Sequence, residues 1–225
     1  MQRPPSLAEK TRHARGLLCE NLERHGAGHV AVAFTGGKDS TLALFLWRQA
    51  LLASSAQTPP LALNLDTGVK FPEVLDFRNQ LARNWGVRLH IARPQNAHSP
   101  LAVDKAACCK ERKIEPLLAA VEELGLSLLI TGIRADEHPS RAALPFLERH
   151  ASHSRLHPLL DFSEMDVWAA IQEHDLPWPS LYEQGYRSLG CVPCTDLPRI
   201  DGDERSGRAP QKENLMKDLR ALGYF

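Results

Sequence analysis

No stretch of this 225-residue chain is apolar for long enough to cross a bilayer. The opening segment, MQRPPSLAEKTRHARGLL, carries basic residues but no apolar signal core. Both absences lead to the expectation of a cytoplasmic location and of no membrane partner. A dominant charge is missing too, because 27 Lys and Arg stand against 27 Asp and Glu. A balanced chain is not expected to coat nucleic acid, though it can hold a local basic pocket. Internal repeats and low-complexity tracts are absent, which excludes a solenoid or array. Cysteine is scarce and odd in number, with five residues and no secretory signal. In a reducing compartment, clustered cysteines are more often metal or redox ligands than disulfides.

What is present suits one medium globular domain: 43% hydrophobic and 24% charged residues. Residues 6–25 read as an amphipathic helix. Residues 29–34 (HVAVAF) form a short β-branched apolar run, the mark of a buried parallel strand. Helix follows in TLALFLWRQALL, then strand in 61–65, then helix from Pro72 to about Gly86. VRLHIARP predicts a third strand, 108–124 a further helix, and SLLITGIR a fourth strand. A short strand near 156–160 and a helix near 163–174 complete the order. This alternation predicts an α/β fold, a mostly parallel sheet flanked by helices. The division is 1–25 for the N-terminal helix, 26–190 for the α/β body, and 191–225 for a cysteine motif and loop-rich tail.

The strongest local signal is Thr35-Gly36-Gly37-Lys38-Asp39-Ser40, set between a strand and a helix. Two glycines allow a tight turn whose N–H groups approach a ligand. The helix N-terminus behind them favours an anion. Lys38 can reach a phosphate and the Ser40 hydroxyl can donate to one. The spacing is not the Walker pattern. Asp66-Thr67-Gly68 follows the second strand on the same sheet edge, where Asp66 could hold magnesium or a ribose hydroxyl. Gly132, Arg134 and Arg141 follow the fourth strand, and both arginines can converge on an anion there.

Cys108-Cys109 and Cys191-Val192-Pro193-Cys194 form a second constellation. Four thiolates can hold a [4Fe–4S] cluster or a zinc ion. Adjacent cysteines rarely aim both sulfurs at one small ion, which favours the wider cluster. The CxxC unit alone could be a redox disulfide. Cys19 has no partner and is expected to be a buried small hydrophobe.

TGGKDS resembles the SGGKDS-type loop of the ATP pyrophosphatase (PP-loop) superfamily. Within it, DTGVKFPE, the Arg134–Arg141 stretch and the CC…GCxPCT layout are similar to the adenylyl-sulfate and phosphoadenylyl-sulfate reductase and ATP sulfurylase small-subunit branch. The resemblance implies an adenine nucleotide α-hydrolase-like fold. It implies nucleotide contacts from Thr35 to Ser40 and from Asp66, Thr67, Gly132 and Arg134. It also implies a [4Fe–4S] cluster on Cys108, Cys109, Cys191 and Cys194. Ala135 departs from the family's second Arg in this stretch. A larger departure is in the tail, since no cysteine follows Cys194 where those reductases carry a nucleophilic one. The tail, Glu204-Arg205-Ser206-Gly207-Arg208 and MKDLRALGYF, resembles the sulfurylase small subunit instead. Arg205 and Arg208 read equally well as surface charge or as site residues.

Three functions fit these residues. The first is adenylyl transfer: ATP, the substrate, would be attacked by sulfate or a sulfur-transfer acceptor, releasing pyrophosphate. Lys38, Ser40, Arg134, Arg141 and Mg2+ would stabilise the charge. The second is sulfonucleotide reduction with a thiol borrowed from a partner. The third is a nucleotide- and cluster-binding subunit without turnover. The protein partners implied are a GTPase subunit, thioredoxin or a cysteine desulfurase. Nucleic acid enters only as a thiolation substrate, and assembly into a homo-oligomer is compatible with the sequence.

Overall fold

The computed structural model describes residues 3–54, 56, 58–221 and 223. Six strands form one sheet in the order β3-β2-β1-β4-β6-β5. They are β1 Val30–Ala33, β2 Leu61–Leu65, β3 Arg88–Ala92, β4 Leu128–Ile130, β5 Leu147–Arg149 and β6 Ser154–Leu156. All neighbours are parallel except the β5–β6 pair. The helices are α1 Leu7–His25, α2 Lys38–Ala53, α3 Pro72–Asn84, α4 Lys105–Cys109, α5 Glu115–Glu123, α6 Glu164–Glu173, α7 Pro210–Asn214 and α8 Met216–Ala221.

The period-2 side-chain alternation of β1 explains the two-sided burial. Val30 and Val32 join a core with Leu18 of α1, Leu44 and Trp47 of α2, Leu81 of α3 and Val167 of α6. Ala31 and Ala33 face the other way and pack with Leu117 and Val121 of α5. The N-terminal helix thus shares the core of the α/β body. A sheet covered on both faces accounts for the uninterrupted apolar strands.

Four details differ from the sequence expectation. The strand expected near 156–160 ends at Leu156, because Pro158 has no N–H to continue a ladder and 157–160 turn instead. Strand β5, hidden in the polar run Leu147-Glu148-Arg149, adds an antiparallel edge. Cys19 is exposed rather than buried, since α1 turns Ala14, Leu18 and Leu22 inward and leaves position 19 on its outer face. Expected helix 108–124 begins earlier, at Lys105, and passes through a π turn at Lys110–Ile114. Of the tail's resemblance, Leu222, Tyr224 and Phe225 lie outside the described residues.

Candidate active site and cysteine pocket

The loop after β1 is shaped by two glycines with distinct reasons. Gly36 has φ +85°, and a Cβ there would meet Val74 Cγ1 at 2.8 Å. Gly132, after β4, lies so close to the start of α2 that a Cβ would sit 2.7 Å from the Asp39 carbonyl carbon. Ser40 donates to the Gly37 carbonyl at 2.9 Å and accepts from Thr35 N–H at 3.2 Å. Lys38 N–H donates to the Tyr182 hydroxyl at 2.9 Å. Trp168 meets the Tyr182 ring edge-on at 5.2 Å, so this tryptophan acts from the core to hold a loop contact. Beneath the loop, Asn64 donates to the Phe34 carbonyl at 2.6 Å and accepts from Arg78 at 2.7 Å. Nothing in the sequence pattern marked that buried pair.

Lys38 and Arg134 are not poised toward solvent. Lys38 is 1% exposed and Arg134 fully buried. Both bind Glu204 of the tail: Lys38 Nζ reaches Glu204 Oε1 at 2.5 Å, and Arg134 reaches Glu204 Oε2 at 2.5 Å. Arg134 also bonds Asp39 at 2.6 Å. Burial alone would lower the Lys38 pKa, but Asp39 and Glu204 raise it above the usual lysine value. Burial pushes Glu204 upward against the pull of Lys38 and Arg134. Burial also works to raise Glu137, yet Arg141 and Arg205 bring it down to about 2. Burial raises Tyr182 to about 12, which keeps its hydroxyl neutral.

Above this layer opens a cleft of about 140 Å³ at the carboxyl ends of the strands. Its cations are Lys70, Lys113, Arg141, Arg205 and Arg208, against the carboxylates Asp39 and Glu137. Thr35, Gly37, Ser40 and Gly132 also line it, as expected, whereas Lys38 and Arg134 do not line it and are paired with Glu204 instead. Arg205 and Arg208 are 8% and 6% exposed, so the structure resolves their two readings in favour of the cleft. Lys70, Lys113, Tyr182 and Glu204 escaped the sequence reading of the site. The signal for Lys70 was its place four residues after Asp66, at the same sheet edge.

Asp66 and Thr67 do not line the cleft. Asp66 accepts from Gly68 N–H at 3.1 Å and from Arg93 at 3.3 Å, with Arg78 at 3.9 Å. A magnesium ion bridging Asp66 to a phosphate in the cleft does not fit, because Asp66 does not line the cleft and two arginines already offset its charge. Asp39, Glu137 and Glu204 bring oxygens within 4.8 Å of one another, but each is paired with Lys or Arg. Thr67 turns to the cysteines instead, its hydroxyl 3.2 Å from Cys191 Sγ.

Cys108, Cys109, Cys191 and Cys194 all line one pocket. Two elements converge to do this. Helix α4 carries the adjacent pair, and Val192 N–H donates to Val69 O at 2.8 Å to dock the CxxC turn on the Asp66–Pro72 segment. Lys105, Arg112, Lys113 and Lys212 line the same pocket. Lys105 reaches Cys194 Sγ at 3.7 Å, and Arg112 Nε is buried without a hydrogen-bond acceptor. Burial opposes ionisation of Cys191, but Lys113 and Lys70 bring its thiol down to about 6. A zinc ion with bonds of about 2.3 Å needs sulfurs roughly 4 Å apart. Among the described residues, no three of these sulfurs lie within 4.8 Å of one another. The donor set, its spread and the buried Arg112 donor therefore fit an iron–sulfur cluster better than a single ion. All five cysteines are free thiols, so CxxC is not a disulfide here. Lys113 lines both the pocket and the cleft.

Residues 29–197 match the family described as the phosphoadenosine phosphosulfate reductase domain. The chain belongs to this family. Among its relatives is the adenosine 5'-phosphosulfate reductase of Allochromatium vinosum, 33% identical over 226 residues, covering 92% of this chain and 85% of that protein. The fold is that of the PP-loop proteins. The phosphoadenylyl-sulfate reductase of Candida auris, solved as a phosphate complex, aligns with TM-score 0.64 at 20% identity, over 87% of this chain and all of that one. The U34-tRNA thiolase NcsA of Methanococcus maripaludis, solved with its [4Fe–4S] cluster, aligns with TM-score 0.61 at 16% identity, over 96% of this chain and 75% of that one. Family membership thus favours the reductase reading over adenylyl transfer. No helix among the described residues is long and apolar enough to cross a membrane.

Proposed function

We propose that this protein is a sulfonucleotide reductase that acts on adenylyl sulfate or its 3'-phosphorylated form and takes its thiol from a partner. The observation that carries this reading is the contiguity of two sites: a cation-lined cleft over the glycine loop and a four-thiol pocket, with Lys113 in both walls. The reductase relative at 33% identity supports the substrate class.

The roles follow from charge and position. Thr35, Gly36, Gly37, Ser40 and Gly132 shape the floor against which the nucleotide's phosphate rests. Lys70, Lys113, Arg141, Arg205 and Arg208 bind phosphate and sulfate oxygens, and their charge steadies the leaving nucleotide. Lys38, Asp39, Arg134 and Glu204 hold the loop and tail together from below. The sulfur of the sulfonucleotide needs a thiolate nucleophile, and no cysteine follows Cys194. A dithiol protein of the thioredoxin kind supplies it. One of its thiolates attacks the sulfur, the sulfur–oxygen bond to the phosphate breaks, and the nucleoside phosphate leaves with the bonding pair. The second thiolate then attacks the cysteinyl sulfur of the S-sulfo adduct, forming a disulfide as sulfite leaves with the pair of the broken sulfur–sulfur bond. The sulfur centre gains the two electrons that the dithiol loses. Cys108, Cys109, Cys191 and Cys194 hold a [4Fe–4S] cluster, which when bound supplies a fixed charge and a rigid support beside the cleft.

A second reading, adenylyl transfer from ATP with release of pyrophosphate, is favoured by one observation: these 225 residues carry no cysteine after Cys194. One experiment separates the two. Anaerobically purified protein is given adenylyl sulfate or phosphoadenylyl sulfate with reduced thioredoxin, and ATP with sulfate in parallel. Sulfite that appears only with thiol supports reduction. Pyrophosphate without sulfite supports the second reading and overturns the first.

A further inference from the structure

A line of polar side chains runs from the sheet's antiparallel edge to the wall of the cleft. It starts on β5, where Glu148 stands opposite Arg155 of β6. His157 N–H donates to Phe146 O at 2.8 Å, which carries the chain on past β6 and sets the imidazole beside Glu148. One Glu148 oxygen accepts from Arg220 of α8 at 2.8 Å, and the other lies 2.8 Å from His157 Nε2. The second ring nitrogen, Nδ1, lies 2.6 Å from the Thr131 hydroxyl. His157 is fully buried and Thr131 is 1% exposed. Thr131 follows β4 and precedes Gly132, and its hydroxyl oxygen also accepts from Ile133 N–H at 3.4 Å. Gly132 lines the cleft, and a Cβ there would lie 2.8 Å from Ser40 N.

We propose that His157 is a positioning residue for nucleotide binding: clamped by Glu148, it fixes the Thr131 hydroxyl and, through it, the turn at Gly132 that walls the cleft. The inference rests on the reading that the cleft binds a sulfonucleotide. A carboxylate only accepts, so Nε2 carries the ring proton. Burial pushes His157 below the usual histidine value while Glu148 pulls the other way, and the ring is neutral at neutral pH. Nδ1 is then a bare acceptor, and the Thr131 hydroxyl donates to it. With its proton committed there, the Thr131 oxygen presents its lone pairs to Ile133 N–H on the far side of Gly132. Carboxylate, imidazole and hydroxyl in line also make up a nucleophilic triad, but Thr131 does not line the cleft and is shut off from solvent, so its hydroxyl orients rather than reacts. Removing that hydroxyl leaves Nδ1 buried without a donor. Because Gly132 packs against the backbone at Asp39 and Ser40, a shift of its turn also moves the glycine loop.

The test measures nucleotide Kd and urea midpoint for full-length, anaerobically purified protein and its variants. The nucleotide is whichever of adenylyl sulfate and its 3'-phosphorylated form the wild type binds more tightly. Thr131→Val keeps the shape of the side chain and removes its hydroxyl, whereas Thr131→Ser keeps the hydroxyl. Thr131→Val is expected to raise Kd roughly tenfold, and Thr131→Ser to restore most of the difference. If Thr131→Val does not fold, His157→Gln takes its place, since it can still donate to Glu148 but offers no acceptor at the Nδ1 position. Ile171→Val, a core change in α6 that does not border the cleft, loses stability and should leave Kd unchanged. An unchanged Kd in the folded variant that lacks the hydroxyl–imidazole bond overturns the inference and leaves the nucleotide reading intact. Binding by Thr131→Ser as weak as by Thr131→Val, or an equal rise of Kd in Ile171→Val, overturns the positioning role. Wild-type protein with no affinity for either nucleotide overturns the underlying reading and the inference with it.

Discussion

The cleft and the cysteine pocket share a wall but differ in what stands beside their cations. In and under the cleft, Asp39, Glu137 and Glu204 sit among Lys38, Arg134, Arg141 and Arg205. The pocket sets Lys105, Arg112, Lys113 and Lys212 against thiols, with no lining carboxylate among the described residues. On the proposed reading, this difference follows from how long each anion stays. A cleft whose anion comes and goes has to be stable when empty, so it carries its own counter-ions. A pocket that keeps an anionic group holds cations in its wall to meet that charge.

The largest effect is expected where a thiol is removed. Cys191→Ser should lower iron per chain by roughly tenfold or more, with the glycine-loop fold retained. Iron assay and circular dichroism check this, and full iron retention breaks the comparison on the pocket side. On the cleft side, Glu204→Ala leaves Lys38 and Arg134 with one buried carboxylate fewer. Stability should fall by roughly 3 kcal/mol in urea unfolding. Added sulfate should recover part of the loss, because an external anion can replace the missing one; no recovery would break the comparison there.

Gly132→Ala presses a methyl group against the backbone at Asp39 and Ser40. It should cost about 2 kcal/mol and weaken adenylyl sulfate binding, read by urea unfolding and calorimetry. Arg208→Ala removes a cleft cation that is seated on Gly190, where a Cβ would lie 2.3 Å from the guanidinium. The Kd for adenylyl sulfate should rise roughly tenfold while iron per chain stays constant.

The smallest expected effect concerns pH. Glu137, held near 2 against its usual 4.5, contributes stability that is complete above 4.5 and fades as pH falls toward 2. His153 is pushed down by burial, and then by Arg155, from 6.5 to about 4. The folded protein therefore resists its protonation, and stability declines as pH falls from 6.5 to 4. His153→Gln should flatten that upper part of a plot of urea midpoint against pH and leave the slope below about 4 unchanged. A uniform shift of the whole curve would sink this assignment.

How far the sequence could be read differs between the same two regions. The glycine loop was legible because its chemistry is local: strand, two glycines and helix start are contiguous. The strands β1 to β4 were legible for the same reason, since apolar runs bounded by breakers specify them. The pairing of CC with CxxC was legible by residue type. Lys70, Lys113 and Glu204 were not, because a charged residue on a turn or in a tail carries no local mark of what it faces. Asp66 and Thr67 lie at the expected sheet edge, but their side chains turn to Arg93, Arg78 and Cys191. Side-chain direction after a strand depends on partners far away in the chain.

By itself the sequence determined the α/β order, the anion-favouring bend after the first strand and the supply of four thiols, because short-range periodicity and residue type are enough for each. The tertiary structure alone decided that Glu204 would cover Lys38 and Arg134, that the tail arginines would turn inward, and that Lys212 of α7 would line the cysteine pocket. Each of these joins residues many positions apart, and the desolvation of a buried ion is compensated only when the chain has brought its partner within bonding distance.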